Sequence, residues 1–144
     1  MNLQQLYTDL ILEHNQDPRN HRPLTDATVT EHGHNPNCGD DLTMNAIITD
    51  GMVEDIAYEG QGCAISQASA SMLCDVVRGK SVEEAKACIE RFIRLIQREE
   101  LNEEERESLE EAIVLENVSQ LPARVKCAVL AWHTLDEAMK KIEA

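Results

Sequence analysis

Aromatic side chains are scarce in this chain: Trp 1, Tyr 2 and Phe 1 make up only 3% of its 144 residues. A core must therefore be built from Leu, Ile, Val, Ala and Met. Positive charge is also short, with Lys+Arg 13 against Asp+Glu 27 and a formal net charge of −14. Nucleic acid and anionic membrane both reward Lys and Arg, so this balance argues against either as a partner. A protein partner presenting a basic patch fits better. Long apolar runs are lacking, and the opening MNLQQLYTDLILEHNQD carries no basic leader. That reads as neither a signal peptide nor a membrane anchor. No CxxC pair occurs, and Cys 5 is an odd count at wide spacing. Such usage suits reduced thiols in a cytoplasmic protein better than a disulfide framework, leaving them available for metals or chemistry.

What is present reads as one domain over residues 1–144, long enough to bury a real core. Leu3, Leu6, Tyr7, Leu10 and Ile11 recur at helical spacing, and Pro18 should end that amphipathic helix near Gln16. Residues 17–37 hold three of the four prolines and read as a long irregular connection with a short strand around Thr28–His32. Leu42, Met44, Ala46 and Ile48 alternate with polar residues, and Asp50-Gly51 supplies a type I′ turn into a returning strand, Val53–Glu59. Gly60-Gln61-Gly62 breaks that strand. A helix follows from Cys63 to about Arg78, with Ala64, Ala68, Met72 and Val76 as its buried stripe and Gly79 as its stop. Ser81 with Glu84, and Asn102 with Glu105, predict capping boxes for helices reaching about Arg98 and Glu116. Pro122 suits the first turn of a long last helix whose stripe runs Val125, Ala128, Val129, Trp132, Leu135, Met139, Ile142. The fold class is α+β: a small three-stranded antiparallel sheet packed by about five helices. Eight glutamates between Glu99 and Glu111 read as a solvated helix face, acids near its N-terminus favouring the helix dipole.

Three cysteines stand where a thiolate is favoured. Cys38 lies in the polar loop NPNCGDD before a strand, Cys63 opens a helix after Gly-x-Gly, and Cys127 falls in the second turn of the last helix. Helix N-termini stabilise thiolate over thiol, and metals bind thiolate. Cys74 and Cys88 fall mid-helix beside apolar residues and read as small hydrophobes. Three thiolates with one carboxylate would close a tetrahedral zinc site, and Asp40, reached across the turn at Gly39, is the nearest acid. His32 and His34 are close enough to Cys38 to be rival ligands. His14, His21 and His133 read as ordinary helix-face or loop residues.

DPRNHRPL at 17–24, NPNCGDDL at 35–42, GCAISQASASML at 62–73 and LPARVKCAVLAW at 121–132 resemble the iron–sulfur cluster assembly U-type family, over nearly the whole chain and in the right order. The resemblance puts the family's three cysteines on Cys38, Cys63 and Cys127 and its aspartate on Asp40. It implies a metal site at one exposed end of an α+β fold. IscU-type scaffolds carry a histidine immediately before the last cysteine, within an LPPVK-x-HC chaperone motif. Here that position is Lys126, and Ala123-Arg124 replaces the second proline. Arg124 and the acidic stretch Glu99–Val118 resemble the SufU type.

Similarity to the SufU branch implies a zinc-dependent sulfurtransferase partnered by a pyridoxal-phosphate cysteine desulfurase of the SufS kind and serving downstream iron–sulfur assembly proteins. Cys38 would be the catalytic acceptor of persulfide sulfur. A histidine of the desulfurase would replace it on zinc, while Asp40, Cys63 and Cys127 keep hold of the metal. Arg124 and Lys126 would support the thiolate charge or meet the partner; the alternative for both is a plain helix-surface role, which explains Lys126 equally well. Two alternatives stay open: an IscU-type scaffold assembling a [2Fe–2S] cluster on the same four residues, and a zinc-stabilised interaction module without chemistry.

Overall fold

The computed structural model describes residues 3–36 and 39–143. The order is α1 (Leu3–Gln16), β1 (Val29–Asn35), β2 (Asp40–Thr49), β3 (Met52–Gln61), α2 (Ala64–Val77), α3 (Val82–Ile96), α4 (Glu103–Ser108), a 3₁₀ helix (Glu110–Gln120) and α5 (Pro122–Glu143). The strands form one antiparallel sheet in the order β1-β2-β3. This is the expected α+β architecture. At the β2–β3 turn, Asp50 and Gly51 have φ of 52° and 77°, the two left-handed residues that a type I′ turn requires.

One face of the sheet carries Leu42, Met44, Ala46, Val53, Ile56 and Tyr58 into the core. Helices α5 and α2 pack there, with α1, α3 and the 3₁₀ helix around them. Trp132 stacks on Phe92 at 3.9 Å between ring centroids. The core is otherwise aliphatic, as the composition requires. Helix α2 is buried almost all round, from Ser66 to Val77, a far wider face than the single stripe expected. Ala64, placed in that stripe, is exposed, because the first turn of α2 emerges at the edge of the molecule. Ile142 of the α5 stripe is likewise 42% exposed.

The first strand is longer than its pattern suggested, reaching Asn35 in register with Asp40. Its ladder is completed by backbone hydrogen bonds, which side-chain periodicity does not report. The irregular connection before it is tied down. The Asn20 carbonyl accepts from Tyr58 N–H (2.8 Å) and Arg22 N–H donates to the Tyr58 carbonyl (3.0 Å), which closes the free edge of β3. Arg22 and Arg78 both bind the Asp55 carboxylate. Burial lifts the Asp55 pKa, but the Ile56 N–H and the two guanidiniums outweigh it and hold the group below the usual carboxylate range.

One cap and one helix length depart from expectation. Ser81 Oγ accepts from Glu84 N–H (3.0 Å), but the Glu84 carboxylate turns to Arg91 (3.0 Å) instead of closing the box. The Asn102–Glu105 box is complete. Its helix, however, stops at Ser108, and Glu110 takes a φ of 50°. A 3₁₀ helix replaces the α-helix expected as far as Glu116. The reason is a period of three: Leu109, Ala112, Leu115 and Val118 are all fully buried, and only a three-residue turn stacks i and i+3 in one line.

Helix α5 lies close against β1 at Gly33, where an added Cβ would meet Thr134 Oγ1 at 2.0 Å. Gly33→Ala should lower stability by about 1–3 kcal/mol in urea unfolding, with part of the loss recovered by Thr134→Ala in the same chain. Asp55 has its folded pKa depressed, so its stabilisation is present above the ordinary carboxylate range and disappears as pH falls through the folded value. Asp55→Asn should therefore lower the melting temperature at neutral pH and lower it progressively less in acid.

Candidate metal centre

The site is assembled from three chain segments that share one end of the molecule. Asp40 opens β2 directly after Gly39, whose φ is +70°. Strand alternation turns Asp40 inward with Leu42, Met44 and Ala46, and Asp41 outward. Cys63 is the N-cap of α2, its Sγ accepting from Ser66 N–H at 3.5 Å. Cys127 lies in α5 with no exposure. One Asp40 oxygen and the Sγ atoms of Cys63 and Cys127 lie within 4.8 Å of one another.

The supporting contacts are specific. Asp40 Oδ1 accepts from the Cys63 N–H at 2.8 Å. Gly62 is required for that approach, since a Cβ there would stand 2.5 Å from Asp40 Oδ1 and 2.4 Å from Ser66 Oγ. Gly62 N–H donates to Gln67 Oε1 (3.2 Å), and Gln67 Nε2 donates to Asn15 Oδ1 (3.0 Å), so α1 braces the turn before Cys63. On the other side Ser69 Oγ donates to the Ala128 carbonyl (2.5 Å) and accepts from Trp132 Nε1 (2.8 Å). That clamp fixes the backbone next to Cys127 against α2.

Asp40 is fully buried, and its Oδ2 has no hydrogen-bond partner. A buried carboxylate oxygen left unmatched is strongly unfavourable unless a cation completes it. The donor set, two sulfurs and a carboxylate oxygen, suits zinc or iron. The three residues fit a metal ion on that ground.

Cys38, expected to join them, lies outside the described residues. His32 and His34 do not belong to the cluster: strand alternation puts both on the solvent side of β1. Arg124 and Lys126 are exposed on the first turns of α5. Tyr7 lies in electrostatic range of both Arg124 and Cys63. Burial lifts its phenol above the ordinary range, Arg124 partly offsets this, and Cys63 adds to it. No sequence signal marked Tyr7, Gln67 or Asn15 as neighbours of the site. Ser66 and Ser69 had one, as polar residues in a helix otherwise fit for burial.

A second group, His14, Asp75 and Glu111, also comes within ligand reach, but its donors are engaged. His14 is buried between Ser71 Oγ (2.7 Å) and Glu111 Oε1 (2.9 Å). Asp75 is bound by Asn20, Arg19 and Arg78. Far from ordinary, His14 locks the 3₁₀ helix to α1 and α2. A polar cleft of about 680 Å³ beside Arg98, Arg106 and Glu116 shares no lining residue with the three donors.

The family described as NifU-like N terminal domain matches residues 6–98. The iron–sulfur cluster assembly scaffold protein IscU of Thermotoga maritima is 40% identical over 137 residues, 95% of this chain and 94% of that protein. The zinc-dependent sulfurtransferase SufU of Bacillus subtilis is 37% identical over 142 residues, 99% and 95% of the two chains. A crystal structure of a SUF-system iron–sulfur cluster assembly scaffold protein from Fervidobacterium islandicum superposes with a TM-score of 0.87 at 30% identity, covering 94% of this chain and 97% of that one. The chain belongs to the NifU-like N-terminal family of iron–sulfur cluster assembly proteins.

Cys74 and Cys88 behave as the core residues expected. Burial pushes the Cys74 thiol up to about 12, and it raises Cys88 as well. Native protein treated with iodoacetamide at neutral pH should show both unmodified in a peptide map, and both modified once denatured.

Proposed function

We propose that this protein is a zinc-dependent sulfur acceptor that takes sulfur from a cysteine desulfurase onto Cys38 for iron–sulfur cluster biogenesis. The observation that carries the reading is a buried Asp40 carboxylate with one unmatched oxygen, in a group whose carboxylate and sulfur ligand atoms lie within 4.8 Å of one another. Asp40, Cys63 and Cys127 would hold the zinc, with Cys38 as the fourth and exchangeable donor. When bound, zinc would keep its cysteine donors deprotonated at neutral pH.

Relatives bearing the sulfurtransferase and the scaffold names match this chain at similar identity, so the choice between them rests on the residues. The position before Cys127 is an exposed lysine, Lys126, which supplies a cation where a scaffold of the IscU type has an additional donor. The acid-rich stretch Glu99–Val118, which resembles the sulfur-acceptor branch, includes a 3₁₀ helix packed on the core through Ala112, Leu115 and Val118.

The transfer needs little from the fold beyond access and a thiolate. Cys38 thiolate attacks the outer sulfur of the desulfurase's cysteine persulfide. A new sulfur–sulfur bond forms on Cys38 as the desulfurase's own bond breaks, and the desulfurase cysteine departs as thiolate. No net oxidation or reduction occurs. Arg124, exposed on α5 and in electrostatic range of Tyr7, supports negative charge at this end of the molecule. Such a protein works in the cytoplasm, where thiols remain reduced.

Native mass spectrometry of the zinc-loaded protein, after anaerobic incubation with desulfurase, L-cysteine and ferrous iron, tests the reading. One retained zinc and one added sulfur mapped to Cys38 is the expected result. Cys38→Ala should abolish sulfur acceptance while keeping zinc, and Cys63→Ser or Cys127→Ser should lose both. Loss of zinc with gain of a two-iron cluster would instead establish a scaffold.

A further inference from the structure

The outer face of the β1–β2 hairpin collects metal-binding side chains that the centre does not use. His32 and His34 are two apart on β1, so their side chains share one face. Both are exposed, their rings nearly parallel (16°) with centroids 6.4 Å apart. Asp41 stands directly across from His34 in the register, and its Oδ1 is 2.5 Å from His32 Nε2. Asp40 and Asp41 alternate to opposite sides of β2, one fully buried and one 58% exposed. On the neighbouring strand Glu59 pairs with Thr43, itself the partner of His32, which adds a further acid to the same face. Of the five histidines, at 14, 21, 32, 34 and 133, only His32 and His34 have this spacing.

We propose that His32, His34 and Asp41 form a second, solvent-exposed site for a divalent transition-metal ion, separate from the Asp40–Cys63–Cys127 centre. Two imidazoles and a carboxylate select borderline ions such as zinc, nickel or cobalt over magnesium or calcium, which prefer all-oxygen shells. As placed, the three donors do not all lie within 4.8 Å of one another, so closing the site takes rotation of these exposed side chains, which leaves the core undisturbed. The surrounding excess of acid draws cations to this face. The site is independent of the sulfur-transfer reading: it would load whether the buried centre holds zinc or a cluster.

The test is calorimetric titration of Ni²⁺ into the untagged full chain already carrying one equivalent of zinc, with native mass spectrometry to count both metals. One equivalent of nickel should add while the zinc stays. In the double variant His32→Ala/His34→Ala that binding should weaken about tenfold or more, and in the control His133→Ala it should be unchanged. Both positions are exposed strand sites, and retention of the first zinc equivalent shows that the variant is folded. The proposal is overturned if nickel displaces zinc instead of adding, if the double variant binds as the parent does, or if His133→Ala weakens binding equally.

Discussion

A carboxylate with no exposure and one oxygen without a partner is the constraint around which this molecule is arranged. Burying Asp40 is costly unless both oxygens are matched. The fold matches one of them, through the N–H of Cys63, and sets the carboxylate within ligand reach of two sulfurs. Everything nearby holds that geometry. Gly62 removes the Cβ that would fill the gap, Gln67 and Asn15 brace the turn, and Ser69 pins α5 to α2 beside Cys127. A neutral asparagine at position 40 would keep the shape and lose the reason for it.

Helix α2 is the element through which these constraints meet. Its first residue boundary supplies a donor at a helix N-terminus, where the dipole favours thiolate. Its body is buried on nearly every side, and its serines face neighbouring elements instead of solvent. Ser71 bonds His14, which in turn bonds Glu111. The acid-rich segment, which as sequence resembled a solvated helix, is thereby anchored to the middle of the protein. Leu109, Ala112, Leu115 and Val118, spaced by three, face the core.

Strand alternation separates two sets of ligand-type residues with equal force. Asp40 and Asp41 are neighbours in sequence, yet one faces the sulfurs and the other faces water beside His32 and His34. The rivalry between the histidines and Asp40 is thus decided by the pleat of one hairpin. A one-residue change of register would have exchanged their roles.

Much was legible from the chain alone, because it depends on local chemistry. Helix spacing, the Asp-Gly turn, the caps at Ser81 and Asn102, the Gly-x-Gly break before Cys63 and the first-turn Pro122 act over a few residues. Cys63 and Cys127 could also be told from the core thiols Cys74 and Cys88 in this way. Tertiary structure decided what no local pattern can carry. Backbone pairing extended β1 to Asn35. The fit of Leu109, Ala112, Leu115 and Val118 against the core turned an expected α-helix into a 3₁₀ helix. Residues as distant as Asp40, Cys63 and Cys127 met in space because β2, α2 and α5 begin at the same end of the molecule. Proximity between distant segments is a property of packing, and packing is settled only when every segment is present.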